Sequence, residues 1–354
     1  MARLALAIGD PTGIGPEVLA KALAGVANAP DHERGRVWSV EVLLAGDAAV
    51  WREAQRIARV ELPAIPADRP GPITRNGIPF LDLPPADRSW KPGEMSPAAG
   101  RASVQWLERA AHLALEGLAD AVVFAPLNKQ AIMRAGYPVR DEYDLCASLA
   151  RVEDHDEMNV IPHPAGRPAA SPGGGPAAGD LLWVARATSH APLREVPALL
   201  TVERVLRTIR LAHRVTTGAG ARAARIGVAA LNPHAGEGGL LGDEEARVIR
   251  PAIEAARGEG INASGPHPAD HIFRRARAGE LDVVIAMYHD QAQIATKLLG
   301  FDRGVSIGVG FPFVLATPSH GTAFDIAGKG IADPGPMRQA LALADWLADV
   351  RSRS

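Results

Sequence analysis

The chain has 354 residues, a formal net charge of −2 at pH 7 and one cysteine. This length exceeds the size at which a single hydrophobic core normally stops growing, so we expect two lobes. The small net charge, without a basic stripe or polybasic run, argues against nucleic acid and anionic lipid as partners. The lone cysteine, Cys146, excludes a disulfide within the chain and a cysteine-based zinc site, and it fits a reducing compartment.

The N-terminal apolar run is about one strand long, which is too short for the core of a signal peptide or for a membrane span. No other run reaches the ~18 consecutive apolar residues of a transmembrane helix. We therefore expect a cytoplasmic protein that does not enter a membrane.

Short apolar runs alternate with longer stretches rich in Ala, Leu and Arg. The short runs are typical of buried strands: Leu4–Ile8, Val40–Ala45, Ala121–Ala125, Arg225–Leu231 and Leu281–Met287. The longer stretches favour helices: Pro16–Ala24, Ala98–Gly117, Pro197–Val215 and Asp243–Arg257. Repeated strand-then-helix order predicts an α/β fold with a largely parallel sheet, covered on both faces.

One segment, residues 163–180, is rich in Pro, Gly and Ala and lacks an apolar period, so we predict a flexible loop there. The strand-like runs Met158–Ile161 and Leu181–Ala187 flank it. A hairpin with a long exposed tip is the economical interpretation, and a functional lid is the alternative.

Three histidines follow strand-like or buried runs: His190, His234 and His289. In open α/β sheets, ligands bind at the carboxyl ends of the strands. Three imidazoles that meet there could hold a divalent metal with an open position for a substrate oxygen. The chain has 11 histidines, however, and a lone histidine more often has a structural role. Position alone leaves both interpretations open.

Two glycine-containing loops are candidates for binding an anion or a nucleotide. Gly9–Glu17 follows the first strand and opens a helix, but it matches neither G-x-G-x-x-G nor G-x-x-x-x-G-K-[ST]. Thr317–Gly330 is long and polar, and its backbone N–H groups could cradle an anion. An ordinary turn or surface loop is the alternative for each.

Five motifs then occur in a fixed order along the chain: Gly9–Glu17, Asn232–Glu237, Gly265–Asp270, Tyr288–Gln291 and Ser319–Ala323. Together they resemble the 4-hydroxythreonine-4-phosphate dehydrogenase (PdxA) family, from about Leu4 to Leu343. The segment Asp325–Ala332 also resembles the isocitrate and isopropylmalate dehydrogenases, which bind NAD without a Rossmann fingerprint.

This resemblance implies a two-lobed α/β/α architecture with the active site in the cleft between the lobes. The lobes would comprise approximately residues 1–130 with 265–354, and 131–264. It also implies a homodimer with the active site near the interface. The expected cofactors are NAD or NADP and one divalent metal ion, with Zn, Co, Mg and Mn left open.

Residue by residue, the resemblance assigns three kinds of site. The metal ligands would be His190, His234 and His289. The nucleotide-binding residues would be His320, Gly321, Thr322, Ala323, Asp325 and Gly328. Lys297 corresponds to a lysine that binds substrate, and Asp270 to a carboxylate near the metal. The group that accepts the alcohol proton stays open among Lys129, a water molecule and the metal alone.

The implied reaction, in pyridoxine biosynthesis, oxidises a secondary alcohol of a hydroxy acid to a ketone, with hydride passing to NAD. The resulting β-keto acid then loses carbon dioxide. A metal suits both steps because it polarises the alcohol oxygen and stabilises the enolate left by decarboxylation.

The chain departs from the family pattern at positions that are expected to contact the substrate. A His-Thr pair becomes Glu142-Tyr143, an Asn becomes Ser306, and an Arg becomes Leu315. Phosphate binding needs Arg, Lys or several hydrogen-bond donors, which these changes remove. The Ser306 and Leu315 pair also resembles dehydrogenases of aromatic cis-dihydrodiol carboxylates, such as the terephthalate dihydrodiol enzymes. A non-phosphorylated substrate is therefore one alternative, and a phosphorylated sugar acid is another because Lys297 is retained.

Two other classes of protein are alternatives to a dehydrogenase. A hydrolase would use the metal to activate water, but it has no need of a dinucleotide loop. A non-catalytic binder of small acids would not need the full set of retained site residues.

Overall fold

The computed structural model describes residues 1–27, 40–163, 180–221, 223–300 and 303–353. The contacts between Cα atoms divide these residues into two units. Unit 1 comprises Met1–His155 and Gly310–Arg353, and unit 2 comprises the described residues from 156 to 309. Among the described residues, no helix is long and apolar enough to cross a membrane.

The strands of unit 1 form one sheet. Their bounds are β1 Ala2–Ala7, β2 Val40–Gly46, β3 Ala64–Pro66, β4 Gly71–Pro72, β5 Ile78–Asp82, β6 Ala121–Phe124 and β13 Val314–Pro318. The order across the sheet is β13-β6-β1-β2-β5-β3, and β4 pairs with β2. Every pairing in the main path is parallel, whereas β4 is antiparallel to β2.

Helices cover this sheet because its central strands are apolar on both faces. Their bounds are α1 Gly15–Ala27, α2 Ala48–Ala58, α3 Pro97–Leu115, α4 Lys129–Arg134, α5 Glu142–Ala150 and α11 Gly335–Ser352. Side chains cap several of their N-termini. Asp47 accepts the N–H of Ala49 at α2, and Asn128 accepts the N–H of Ala131 at α4.

Unit 2 has its own run of strands. Their bounds are β7 Asp156–Pro162, β8 Leu181–Arg186, β9 Ile226–Ala229, β10 Ala263–His267, β11 Val283–Ala286 and β12 Val305–Val309. The order is β10-β9-β11-β8-β7-β12. The first four strands in that order are parallel to one another, and the pairings of β7 with β8 and β12 are antiparallel.

The helices of unit 2 are α6 Val196–Leu199, α7 Val202–Gly218, α8 Arg250–Gly258, α9 Ala269–Arg277 and α10 His289–Gly300. A short π-helical turn, Glu245–Ile249, leads into α8. Residues of α9 and α10 pack on the strands in one apolar cluster that includes Ile272, Phe273 and Ala292. This packing fixes the start of α10, where a predicted metal ligand lies.

The predicted α/β class and the parallel sheet are confirmed, and all five predicted strands are present within one or two residues. Three helices differ in detail. Helix α1 continues past Gly25 to Ala27. The predicted helix Pro197–Val215 is two helices, because Thr201 caps a new one by accepting the N–H of Arg204.

The third difference lies between Asp243 and Arg257, where a π-turn precedes α8. Pro251 stands at the beginning of α8 and has no N–H to donate to the residue four positions earlier. The α-helical hydrogen-bonding pattern is therefore not continuous through this segment.

The hairpin predicted around residues 163–180 is confirmed at its base, since β7 pairs antiparallel with β8 and the His163 N–H donates to the Asp180 carbonyl at 2.7 Å. The predicted flexible loop itself, residues 164–179, lies outside the described residues. The boundaries between the two contact-defined units fall at 155/156 and 309/310. Strands β10 and β11 pair in the sheet of β8 and β9, so residues 265–309 belong to unit 2. The lobe bounds implied by the family resemblance stay a prediction.

Asp345 in α11 should make stability depend on pH. Burial and the nearby Asp349 raise the pKa of Asp345 to about 6, above its ordinary value of about 3.9. The folded state thus holds this proton more tightly than the unfolded state, and ionisation costs stability as pH rises from about 4 to about 6. We expect Asp345→Asn to raise the free energy of unfolding by about 1 kcal/mol at pH 8 and to change it little at pH 4, measured by urea denaturation. An equal gain at both pH values would contradict this assignment.

Candidate active site

The predicted metal ligands follow three neighbouring parallel strands of unit 2. His190 comes after β8, His289 after β11 and His234 after β9, and these strands are adjacent in the order β9-β11-β8. Asp270 follows β10, which is the next strand beyond β9. All four residues therefore lie beyond the carboxyl edge of one sheet, where open α/β sheets bind ligands.

His190 and His289 lie beside each other. Their ring centroids are 5.6 Å apart and the planes are tilted by 40°. Both rings line a cavity of about 220 Å³, together with Thr188, Ser189 and Tyr288. The Asp290 carboxylate lies 2.7 Å from Nδ1 of His289, the arrangement by which a carboxylate orients a metal-binding imidazole. This pairing leaves Nε2 of His289 as the atom able to bind a metal.

His234 lies on an unusual loop. From His234 to Gly239 every residue has a positive φ, which favours glycine, yet three of the six are not glycine. Each non-glycine residue in this conformation costs of order 1 kcal/mol, so other contacts must hold the loop.

Glu245, a buried residue at the start of the π-turn, supplies those contacts. Its Oε1 accepts the N–H groups of Leu231 and Asn232 at 2.8 and 2.7 Å. Its Oε2 accepts the Asn232 side-chain amide at 3.0 Å. A carboxylate that accepts three N–H groups outweighs the local strain and fixes the chain just before His234.

Two of the three predicted ligands thus meet in this chain. Within the described ranges, no group of three or more His, Cys, Asp or Glu side chains is close enough to hold a metal ion. The paired imidazoles and the Asp290 contact fit a divalent metal that prefers nitrogen ligands. The three-histidine set, with His234 as the third ligand, stays a prediction.

The other predicted residues of unit 2 have different surroundings. Asp270 is exposed in the first turn of α9, and Lys297 is exposed in the last turn of α10. Ser306 is buried on β12, where its hydroxyl accepts the side-chain amide of Asn159 at 2.9 Å. Contact between Ser306 and a substrate stays a prediction.

In unit 1 the two glycine-containing loops pack against each other. The Ile14 N–H donates to the Thr322 carbonyl at 2.9 Å. A Cβ on Gly13 would lie 2.7 Å from Cβ of Thr322, so only glycine fits at this approach. In the first loop, Asp10 accepts both the N–H and the hydroxyl of Thr12, and burial raises the pKa of Asp10.

An ion pair anchors the far end of the second loop. The buried Glu17 carboxylate accepts Lys21 Nζ at 2.7 Å and the Ala332 N–H at 2.9 Å. Lys21 also donates to the carbonyls of Gly330 and Ala332. These contacts fix the segment that follows the predicted nucleotide-binding residues.

Several of the predicted nucleotide-binding residues expose their backbone to the solvent. Gly321, Asp325 and Gly328 are exposed, and burial lowers the pKa of His320, which leaves its imidazole neutral at pH 7. A cavity of about 290 Å³ lies against Gly13 and Gly328, with largely apolar walls that include Trp90 and Ile57. Exposed glycine backbone beside an apolar cavity suits a nucleotide.

Of the remaining predicted residues of unit 1, three lie at the starts of α4 and α5, and Leu315 lies on β13. Lys129 Nζ is 3.8 Å from Oε2 of Glu142, so the structure brings two residues singled out separately into one ion pair. Tyr143 is buried and packs edge-on against Phe124, and Leu315 is fully buried on β13. Neither Tyr143 nor Leu315 is open to a ligand here, and their contact with a substrate stays a prediction.

Comparison with known proteins identifies the class. A family model described as "Pyridoxal phosphate biosynthetic protein PdxA" matches residues 38–344. A Rhizobium meliloti (strain 1021) protein, provisionally named 4-hydroxythreonine-4-phosphate dehydrogenase 2, is 40% identical over 98% of this chain and 93% of its own length. An Oceanobacillus iheyensis protein, provisionally named D-threonate 4-phosphate dehydrogenase, is 36% identical over 99% of this chain and 98% of its own.

Solved structures agree. The 4-hydroxythreonine-4-phosphate dehydrogenase of Klebsiella pneumoniae is 35% identical, with a TM-score of 0.78 and 98% of each chain covered. A terephthalate 1,2-cis-dihydrodiol dehydrogenase of Burkholderia xenovorans LB400 is 29% identical, with a TM-score of 0.60 and 98% of each chain covered. The chain is therefore an oxidoreductase of the dehydrogenase class. It belongs to the PdxA family.

Proposed function

We propose that the protein is a metal- and NAD-dependent dehydrogenase that oxidises the secondary alcohol of a phosphorylated hydroxy acid of the 4-hydroxythreonine-4-phosphate type. The observation that carries this proposal is the pair of imidazoles, His190 and His289, at the carboxyl edge of unit 2, in a chain that is 40% identical to a relative of that name.

Residues of unit 2 would hold the metal and the substrate anion. His190 and His289, with His234, would bind a divalent metal, which supplies Lewis acidity toward the alcohol and carboxylate oxygens when bound. Asp290 keeps the His289 ring in one orientation. Lys297, exposed on the same helix as His289, would supply a positive charge for a substrate anion, and Asp270 a carboxylate near the metal.

Residues of unit 1 would hold the dinucleotide. The exposed backbone at Gly321 and Gly328 and the carboxylate of Asp325 are the groups available to it, and NAD is the expected form. Burial lowers the pKa of His320 and so favours its neutral form. The homodimer implied by the family resemblance is part of the proposal.

The reaction balances without a further redox partner. The alcohol carbon would lose a hydride, for which a bound oxidised nicotinamide would be the acceptor, and the hydroxyl would lose a proton, so that the products would be a ketone, the reduced nicotinamide and one proton. The β-keto carboxylate would then lose carbon dioxide, the electron pair of the broken carbon–carbon bond would form an enolate, and the enolate would take up one proton to give the final ketone. Lys129 in its neutral amine form is the side chain proposed to take the hydroxyl proton, and the ammonium that results would pair with the Glu142 carboxylate.

Two relatives named for phosphorylated acids favour a phosphate-bearing substrate over a dihydrodiol, since both are more similar in sequence than the dihydrodiol dehydrogenase. D-threonate 4-phosphate is a second candidate because a relative at 36% identity bears that name. Departures at Glu142, Ser306 and Leu315 keep a non-phosphorylated substrate as the alternative.

The test is formation of reduced nicotinamide, followed by its absorbance, with a divalent metal and three substrates assayed separately. These are 4-hydroxythreonine-4-phosphate, D-threonate 4-phosphate and a terephthalate cis-dihydrodiol. We expect the highest kcat/KM with one of the two phosphorylated acids. Turnover of the dihydrodiol alone would instead support a pocket changed at Leu315 and Glu142, and no turnover of any of the three would contradict the proposed substrate class.

A further inference from the structure

The ladder between β9 and β11 ends early. Its last backbone pair joins Val228 with Ile285, before the two chains reach the loops of His234 and His289. Among the described residues, no backbone hydrogen bond joins Ala230 directly to Met287.

A side chain closes the gap. The Gln291 Oε1 atom accepts the Met287 N–H at 2.6 Å, and its Nε2 donates to the Ala230 carbonyl at 2.9 Å. A primary amide presents a carbonyl acceptor and N–H donors in one plane, and so it can replace the one acceptor and one donor of a peptide group. Gln291 therefore stands in for one peptide unit between the two chains, two residues after His289.

On the other side of β11, the chain that follows β8 bonds directly to the chain that follows β11, without a bridging side chain. The Ala187 N–H donates to the Ala286 carbonyl at 2.8 Å, and both the N–H and the hydroxyl of Thr188 donate to the Met287 carbonyl. His190 is thus tied directly to the strand that precedes His289, whereas the chain leading to His234 is tied to it through Gln291.

We propose that Gln291 is a positioning residue that sets the distance between the His234 loop and the His289 strand end. The expected effect of Gln291 on metal affinity rests on the proposed function. Its expected effect on the His234 loop does not. A carboxylate in its place would oppose the Ala230 carbonyl, and a thioether could not donate to that carbonyl and is only a weak acceptor for the Met287 N–H.

The test compares Gln291→Met and Gln291→Glu with the same changes at Gln55. Gln55 makes the matching bridge in unit 1, where its Oε1 accepts the Leu62 N–H at 2.7 Å and its Nε2 donates to the Trp51 carbonyl at 3.3 Å. The first readout is amide hydrogen exchange of residues 231–239 in the full chain. The second is the affinity for Co²⁺, measured by calorimetry together with the Co²⁺ absorption spectrum.

We expect both Gln291 variants to exchange residues 231–239 at least about 10-fold faster and to bind Co²⁺ roughly 10- to 100-fold more weakly, as is usual when a residue behind a metal ligand is lost. The Gln55 variants should lose comparable thermal stability but change neither readout. Unchanged exchange of residues 231–239 in the Gln291 variants would overturn the inference. If the unaltered protein binds no Co²⁺, the proposed metal site fails while the exchange readout still decides the role of Gln291.

Discussion

Replacing His289 with alanine is expected to lower kcat at least about 10³-fold, which corresponds to roughly 4 kcal/mol of lost transition-state stabilisation. The reason is that His289 pairs with His190 across 5.6 Å and with the Asp290 carboxylate at 2.7 Å. Its loss would remove both a ligand and the oriented half of the imidazole pair. The measurement is reduced-nicotinamide formation at saturating metal and substrate, with bound metal quantified in the same sample.

His112→Ala is the matched control, because His112 is an exposed histidine of α3 that bonds only its own helix, at the Glu108 carbonyl. It should keep the activity and the metal content of the unaltered protein. If the His289 variant retained more than about a tenth of the activity, or bound one metal equivalent as tightly, the assignment of this ligand would be wrong.

The second large effect is expected at Gly13. A methyl group there would lie 2.7 Å from Cβ and 2.8 Å from the carbonyl oxygen of Thr322, and backbone must move to make room. Thr322 belongs to the predicted nucleotide loop, and a shift of about 1 Å in a binding group can cost ~10²-fold in rate. We expect Gly13→Ala to raise KM for NAD at least about 10-fold, measured by steady-state kinetics with NAD as the varied substrate.

Gly218→Ala serves as the control, because a Cβ at the end of α7 would meet no atom within 4 Å. It should leave KM for NAD unchanged. An unchanged KM in Gly13→Ala, with the variant folded, would show that the second loop does not bind the dinucleotide.

Much of the fold was predictable because its signals are local. Parallel strands covered on both faces are short and wholly apolar, which marked β6 and β11 clearly. The unit boundaries were not predictable from such runs. They depend on which strands pair over long separations, and no local property of β10 or β11 indicates that these strands join β8 and β9.

The sequence predicted which residues could bind the metal and the nucleotide. It did not predict the residues that hold those groups in place. Histidines at strand ends and glycines in loops are recognisable residue types in recognisable places, and the five ordered motifs gave them roles. Glu245, in contrast, lies in a segment with an ordinary amphipathic pattern, so nothing in the sequence distinguishes its buried carboxylate from a solvated one. Gln291 lies inside a recognised motif, but its bridging role depends on where Ala230 and Met287 are placed by the sheet.

Glu17 and Lys21 were missed for a related reason. An acidic residue four positions before a lysine on a helix normally indicates an exposed pair. Here the pair is largely buried and holds the backbone at Gly330 and Ala332, more than 300 residues away in the sequence. Only the folded arrangement of α1 and the second loop reveals that role.

The most direct measurement is reduced-nicotinamide formation from 4-hydroxythreonine-4-phosphate by protein stripped of metal and then titrated with Zn²⁺ or Co²⁺. We expect almost no activity in the stripped protein and a rise that saturates near one metal per chain. Mg²⁺ should restore less activity, because imidazole ligands favour Zn²⁺ and Co²⁺. Full activity in the stripped protein, unaffected by added metal, would contradict a catalytic metal at His190, His234 and His289.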